Sequence, residues 1–523
     1  MTVGTRPANP LKPPARVKIP RQHPHEQPAA ARAANFDEVS HGLDAQHALM
    51  EASRCLECRD PACMRGCPVG VDIRGFIQHL LVKDYAGAAA RIREANALPA
   101  ICGRVCPQES QCEASCTIGR KFKPVAIGLL ERFVADWDAE QGPIAPPPRP
   151  PALGLRVVVV GSGPAGLTCA ADLARLGYGV TVFEALHAAG GVLRYGIPEF
   201  RLPKTILDLE LERVRALGVE IRTNVLVGRT ASLDELFAEW GFDAVFLATG
   251  AGTPTFLGIP GEGLCGVYSA NEFLTRVNLM GAASFPLHDT PVKIGREVAV
   301  IGGGNTALDA VRTARRLGAE RAFLVYRRSR AEMPGRLEEI RHAEDEGVEI
   351  RLLTNPVRIV GDDQGWVRAL ECQRMELGEP DESGRRRPLA CAGSEFLLPV
   401  QTVIEAIGQR PNPIIQATTR GLAVGRGGVV TVDDAQRTNR AGVFAGGDLA
   451  RGGATVILAM RDGRRAAASI HEYLQPQTHD GGRGRQPQTH DGGRGLQPQI
   501  HDGGRGLQAR AGRSPIPASE VVP

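Results

Sequence analysis

Arg156-Val-Val-Val-Val160, followed by Gly161-Ser-Gly163-Pro-Ala-Gly166, is the stretch whose reading decides the fold of this 523-residue chain. The β-branched run reads as a buried parallel strand. The glycines then open a helix whose Leu167, Ala170, Ala171, Leu173 and Leu176 carry an apolar face. Gly161 permits a tight turn, Gly163 lets a pyrophosphate approach the backbone, and Gly166 lets helix and strand pack closely. A second strand, Gly179-Val-Thr-Val-Phe183, ends in Glu184, 23 residues after Gly161, where a carboxylate can bind ribose hydroxyls. A glycine loop alone is a weak signal. Strand, loop, helix, strand and terminal acid in that order predict a dinucleotide-binding βαβ unit with the diphosphate at the helix N-terminus.

The pattern recurs downstream. Glu297-Val-Ala-Val-Ile301 leads into Gly302-Gly303-Gly304-Asn305-Thr306, then a helix through Leu308, Val311, Ala314 and Leu317. The next strand, Ala322-Phe-Leu-Val-Tyr326, ends in Arg327-Arg328 where the first unit carried an acid. A 2′-phosphate on the ribose wants a guanidinium there, so NADPH is expected rather than NADH; the alternative is a solvated Arg pair on a loop. Two further strands end in Ala248-Thr249-Gly250 and in Gly446-Gly447-Asp448. Asp448, at a strand end beside a helix start, can bind a cofactor's hydroxyls or simply cap the helix.

Composition excludes several classes. Hydrophobic residues are 43% and charged residues 23%, an ordinary globular balance. No run of about 18 apolar residues is present, and the Pro-rich beginning lacks the apolar core of an export signal. A cytoplasmic location and no membrane partner are expected. The formal net charge of +4 suggests an acidic partner only until it is partitioned. Residues 1–35 carry six Lys/Arg against one Glu, and residues 475–523 six Arg against four acids, so the segment between is slightly acidic. Neither a basic folded surface nor a recognised module points to nucleic acid.

Twelve Cys remain to be explained, and eight lie between positions 55 and 116. They read Cys55-x2-Cys58-x4-Cys63-x3-Cys67-Pro68 and Cys102-x3-Cys106-Pro107-x4-Cys112-x3-Cys116. A disulfide framework suits small secreted domains, which this is not. Structural zinc needs one tetrahedral set of thiolates, and the first four Cys can supply it. Two quartets, each with a Cys-Pro, fit two 4Fe–4S clusters with ligands crossing between quartets better. Asp72 and Asp84 are expected to cap short helices between the quartets, and Pro124 to open a helix ending near Asp138. Cys169, Cys265, Cys372 and Cys391 form no Cys-x-x-Cys pair and read as core thiols.

These features together resemble the glutamate synthase small (β) subunit family. That family is related to the large subunit of NADH-dependent ferredoxin:NADP oxidoreductase, the sulfide dehydrogenase flavoprotein and the N-terminal part of dihydropyrimidine dehydrogenase. The resemblance covers about residues 18–474 and rests on specific stretches. They include Cys102-Gly-Arg-Val-Cys-Pro-Gln108, Gly190-Gly-Val-Leu-Arg-Tyr-Gly-Ile-Pro198, Phe200-Arg-Leu-Pro-Lys204, Tyr326-Arg-Arg328 with Glu332-Met-Pro334, and Phe444-Ala-Gly-Gly-Asp448. The resemblance implies FAD on the first fold, at Gly161, Gly163, Gly166, Glu184, Gly191, Leu193, Arg194, Thr249 and Asp448. It implies NADPH at Gly302, Gly304, Asn305, Thr306, Arg327 and Arg328. One cluster would be held by Cys55, Cys58, Cys63 and Cys116, the other by Cys67, Cys102, Cys106 and Cys112. Val192 and Asn305 depart from the family's usual Leu and Asp.

The expected architecture is α/β: a helical N-terminal iron–sulfur domain followed by two Rossmann-like dinucleotide domains, the FAD domain split by an inserted NADPH domain. Its parts are a flexible arm 1–35, iron–sulfur domain 36–140, Pro-rich linker 141–154, FAD domain 155–268, NADPH domain 269–408, FAD domain 409–474 and tail 475–523. The tail contains three near-identical 11-residue units beginning at Leu474, Arg485 and Leu496, read as a disordered expansion. The expected activity is an NADPH-dependent oxidoreductase with no catalytic acid, base or nucleophile, because the cofactors carry the chemistry. The resemblance implies as partner a large glutamate synthase subunit, since Thr2 replaces the family's nucleophilic Cys and the chain leaves no room for the glutamate-forming domains. Ferredoxin or a sulfide acceptor, a homo-oligomer, and a zinc-bearing scaffold without redox activity are the other readings.

Overall fold

The computed structural model describes residues 11–142, 150–382 and 384–475. Half of the Pro-rich linker (143–149) and all but the first residues of the repeat tail lie outside the described residues. The N-terminal domain is helical, with α1 (Ala45–Ser53), α2 (Ile73–Leu81), α3 (Tyr85–Arg93), α4 (Pro99–Val105) and α5 (Ile127–Glu140). Asp72 accepts from the Gly75 N–H and Asp84 from the Gly87 N–H, each at 2.9 Å, so both short helices start at the expected caps. Their apolar faces close one core: Ile73, Phe76, Ile77, Leu80 and Ile92 pack against Leu130 and Val134 of α5. Helix α5 begins three residues later than Pro124 suggests. The Pro124 carbonyl accepts from Arg54 and Arg21, and the Ala126 N–H is held by Glu51 at 2.7 Å, fixing 124–126 outside the helix.

Two five-stranded parallel sheets follow. The first is built from β1 (Arg156–Val160), with α6 (Pro164–Arg175) packed on it, β2 (Gly179–Phe183), β3 (Glu220–Arg222) and β4 (Ala244–Leu247). The second comprises β5 (Val267–Ser269), β6 (Glu297–Ile301), β7 (Arg321–Val325), β8 (Glu349–Arg351) and β9 (Thr402–Glu405), with helices α7 (Asn305–Arg316) and α8 (Leu337–Asp345). Its strand order is β8-β7-β6-β9-β5. The chain then returns: β10 (Val443–Ala445) pairs with β4 to complete the first sheet as β10-β4-β1-β2-β3, and α9 (Val456–Leu474) lies against it. The first dinucleotide fold is thus split by the second. Thr253–Pro254 and Gln409–Arg410 pair antiparallel where the chain crosses between them. An antiparallel sheet, residues 354–399, flanks the second fold. Among the described residues no helix is long and apolar enough to cross a membrane.

From residue 11 onward the arm, expected to be flexible, packs against the folded body. Arg16, 6% exposed, donates to the Cys55 carbonyl at 2.8 Å and pairs with Glu57. Arg21 pairs with Glu113 at 2.7 Å, and Arg32, 2% exposed, reaches Glu346 and Asp345 on or beside α8. The charge that composition assigns to a free end neutralises buried carboxylates here, because an unpaired buried ion is far costlier than an ordered arm. A mixed cluster extends the contact. Arg201 meets Asp309 at 2.7 Å and Glu339 at 3.2 Å, and Phe200 lies under the guanidinium groups of Arg312 and Arg316 at 4.7 and 3.8 Å.

Candidate cofactor sites

The glycine loop of the first fold divides its labour. Gly161 has φ +108°, and a Cβ there would stand 2.3 Å from the Ala248 carbonyl. At Gly166 a Cβ would stand 1.9 Å from the Gly161 carbonyl. Both are glycine because the protein itself leaves no space. Gly163 differs: its φ is −71°, and a Cβ would meet nothing within 4 Å. That open space lies at the N-terminus of α6, where unpaired N–H groups favour a phosphate. Glu184 is buried and holds the loop's shape, accepting from the Ser162 N–H at 3.1 Å and the Leu186 N–H at 2.9 Å. Gly191 crosses so near that its Cβ would stand 2.8 Å from the Gly163 Cα. Leu193 is fully buried, Arg194 is tied to the Ala189 carbonyl at 2.6 Å, and Thr249 is exposed just beyond β4.

Asp448 belongs to the same region. Burial pushes its carboxyl up to about 6, against the pull of the Ala454 N–H. Tyr195, which the sequence reading missed, links it to the loop: burial, with Asp448 and Glu184 adding, pushes the phenol up to about 12. The Gly190–Pro198 motif contained it, but nothing in the spacing singled out its hydroxyl.

The second loop repeats the geometry. A Cβ on Gly302 would stand 2.5 Å from the Ala406 carbonyl, and one on Gly303 2.7 Å from the Tyr326 ring. One on Gly304 would meet only Pro334, at 3.9 Å. Thr306 is exposed at the start of α7, while the Asn305 side chain accepts from the Arg336 N–H at 2.9 Å. The two arginines expected to share one phosphate are not equivalent. Arg328 is buried, donating to the Arg386 carbonyl at 2.8 Å and to Asp381 at 2.6 Å, so it serves the flanking sheet. Arg327 is exposed and makes no ion pair among the described residues.

The cysteines separate into two sets. Cys55, Cys58, Cys63 and Cys116 line one cavity together with Arg74. Burial and the neighbouring thiols push Cys55 up to about 12 and Cys63 up to about 11. Thiols in that range ionise near neutrality only when a cation takes up the charge. Cys67, Cys106 and Cys112 share a second neighbour, the Glu131 carboxylate. Burial raises Cys67 and Cys112, Cys106 is raised first by its hydrogen bond to Cys102 and then by burial, and the Glu131 carboxylate raises all three further. Cys102, besides its contact with Cys106, brings its Sγ to 3.4 Å from Met460 Sδ on α9. Glu131 accepts from Asn96 Nδ2 at 2.7 Å, and burial pushes it up to about 7. Among the described residues no three thiol sulfurs lie within 4.8 Å of one another. Of the other four Cys, Cys169 and Cys372 are core thiols, whereas Cys265 is exposed and Cys391 half-buried.

Comparison with known proteins agrees with this layout. Residues 32–143 match the family described as dihydropyrimidine dehydrogenase domain II, 4Fe-4S cluster, and residues 155–463 the pyridine nucleotide-disulphide oxidoreductase family. Cysteine domain and paired glycine loops thus define a flavin- and NAD(P)-dependent iron–sulfur oxidoreductase. The chain is 37% identical over 466 residues to the NADPH glutamate synthase small chain of Halomonas elongata, covering 88% of this chain and 97% of that one. It is therefore a member of the glutamate synthase small-chain family. It is also 41% identical over 440 residues to the NADP(+)-dependent formate dehydrogenase subunit beta of Moorella thermoacetica, spanning 80% of this chain but only 60% of that one. FprA of Mycobacterium tuberculosis in complex with NADPH shares the fold, with a TM-score of 0.52 at 23% identity over 62% of this chain and 85% of that chain.

Proposed function

We propose that this chain is the NADPH-oxidising, electron-input subunit of a larger reductase of the glutamate synthase type. FAD is assigned to the first fold, with the space before Gly163 for its pyrophosphate and Glu184, Tyr195 and Asp448 around it. NADPH is assigned to the second, with Arg327 for its 2′-phosphate. When bound, the flavin accepts a hydride from NADPH and two 4Fe–4S clusters carry the electrons away one at a time.

The observation that carries this reading is where the two thiol sets sit. Helix α4, with Cys102, and Cys106 just beyond it are buried in the same apolar core as β1, α6 and α9 of the first fold. Cys55, Cys63 and Cys116 of the other set pack against the core of the helical domain, which Cys67 and Cys112 also reach. One site therefore adjoins the flavin domain through Cys106, an order suited to a relay from flavin to the second site. We assign the inner cluster to Cys67, Cys106 and Cys112 with Glu131 as fourth ligand, and Cys102 to the packing between α4 and α9.

The chain's own residues supply geometry. Ser162 and Glu184 hold the first loop open, and Arg336 ties the second loop to the cysteine domain. It does so by donating to the Arg104 carbonyl at 2.9 Å and to Gln108 Oε1 at 3.1 Å, while Gln108 donates to the Cys102 carbonyl. The similarity to a formate dehydrogenase subunit favours a second reading, in which the same relay serves a different partner. Incubation with glutamine, 2-oxoglutarate and NADPH separates them. This chain alone makes no glutamate, and adding a large glutamate synthase subunit restores it; glutamate from the chain alone overturns the proposal.

A further inference from the structure

One buried acid of the second fold is met by another acid instead of a cation. Glu405 ends β9, 2% exposed, level with Ile301, the last residue of β6 before the second glycine loop. The strand order reverses between these two strands, which is where parallel sheets bind nucleotides. The next residue, Ala406, shapes the loop: its N–H donates to the Ile301 carbonyl at 2.9 Å, and its carbonyl lies against Gly302. Glu405 Oε2 accepts from the Leu257 N–H at 3.1 Å, so the carboxyl also grips the segment that has just crossed from the first fold. Oε1 is buried, and among the described residues no donor reaches it. The group that meets it is the carboxyl of Glu262, which itself accepts from the Gly258 and Ile259 N–H groups at 2.7 and 3.1 Å. Ile301, Val403, Leu257 and Ile259, from the sheet and the crossing segment, form one apolar cluster here, and Ser269 lies across from Glu405 on β5. Among the described residues neither acid forms an ion pair, and Glu262 is the one charged group acting on Glu405. Two carboxylates in contact do not both stay ionised. Burial, with Glu262 adding, pushes Glu405 up to about 7.

We infer that Glu405 and Glu262 share one proton, and that this acid–acid bond is a pH-sensitive clasp holding the crossing segment to the second fold beside its nucleotide loop. The inference rests on the assignment of NADPH to that fold. Glu262, fixed by two N–H groups, is the carboxylate that accepts, and Glu405 donates through Oε1. With the proton in place, residues 257–262 are tied to the end of β9. Its loss sets two like charges against each other at that point and loosens the strand end that shapes Gly302. Nucleotide affinity therefore falls as pH rises through about 7. Both acids act as positioning residues, through the loop and not by touching the nucleotide.

The test compares the FAD-loaded protein with Glu405→Gln, whose amide donates to Glu262 and accepts from Leu257 at every pH. Titration of the nucleotide's own phosphate is common to both proteins and cancels in the difference. By calorimetry the two bind NADP+ alike at about pH 6, and at about pH 8.5 the unaltered protein binds about tenfold more weakly, the worth of one pKa unit. Glu262→Gln, which gives Oε1 a donor, likewise removes the difference. Thermal unfolding reads the proton without nucleotide. An acid held above its ordinary 4.5 costs stability progressively from about pH 4.5 to about 7, so Glu405→Gln raises Tm at about pH 8 and far less at about pH 5. The same pH dependence of NADP+ affinity in all three proteins, or an equal Tm change at both pH values, overturns the clasp while leaving the NADPH assignment intact. Failure of the unaltered protein to bind NADP+ at any pH overturns that assignment, and the clasp's role with it.

Discussion

Replacing Gly163 by alanine separates the two reasons a glycine can occupy a nucleotide loop. Its φ of −71° and ψ of −179° are open to any residue, and the added methyl meets no atom within 4 Å. Loss of chain entropy in the unfolded state favours alanine slightly, and its poor performance at a helix N-cap disfavours it slightly, so apoprotein stability changes by less than about 1 kcal/mol. The methyl does fill the space assigned to a pyrophosphate. Losing that close approach lowers FAD affinity by about 100-fold or more, about 2.7 kcal/mol. Gly304→Ala adds a methyl 3.9 Å from Pro334, with the same logic for NADPH. Thermal unfolding of the apoproteins, flavin absorbance after dialysis and KM for NADPH read the outcomes. Gly163→Ala folds and loses FAD; Gly304→Ala keeps FAD and shows a raised KM for NADPH. Gly166→Ala, with its methyl 1.9 Å from a carbonyl oxygen, does not fold normally and serves as the steric control. Stoichiometric flavin in Gly163→Ala would refute the reasoning, and loss of flavin in Gly304→Ala would exchange the two assignments.

Three further outcomes follow from the same geometry. Arg327→Ala raises KM for NADPH by roughly 10–100-fold, the worth of a charge-assisted hydrogen bond, and leaves NADH turnover unchanged; Arg328→Ala lowers Tm instead. An equal loss with both nucleotides would remove the 2′-phosphate role. Glu131→Ala loses or alters one of two cluster signals in electron paramagnetic resonance, whereas Cys102→Ala retains both; the reverse pattern restores Cys102 as a ligand. The third concerns acid. Burial works to raise Glu339 and Glu346, but the guanidinium groups of Arg201, Arg312 and Arg316 reverse it and hold both at about 2, below the ordinary 4.5. A depressed acid stabilises fully above its unfolded value, so this stabilisation is present above about pH 4.5 and is lost as pH falls toward 2. Arg201→Ala moves the acid unfolding midpoint upward; a midpoint that stays put means the cluster does not hold the folds together.

The glycine loops were legible in sequence because a strand, a turn needing positive φ and a close helix–strand approach leave few alternatives to glycine. Gly161 and Gly166 meet those demands through backbone atoms a few residues away. Asp72 and Asp84 were legible as helix caps for the same local reason. What stayed hidden depends on distant partners. Arg32 pairs with Asp345, 313 residues away, and no composition rule distinguishes it from a solvated arginine. Glu131 looks like an exposed helical residue, and only the packing of α5 against the loops of Cys67 and Cys112 turns its carboxylate toward thiols. Arg327 and Arg328 are adjacent and chemically identical. The sheet edge that captures Arg328 comes from residues 381–386, far beyond the βαβ unit that placed both.

The central claim is that an NADPH-reducible flavin feeds two iron–sulfur clusters in this one chain. Anaerobic purification followed by analysis of iron, sulfide, zinc and flavin tests it most directly. The expected composition is one FAD with about eight iron and eight sulfide per chain and no stoichiometric zinc, with the visible colour bleached by NADPH. A colourless protein carrying zinc and no flavin would contradict it.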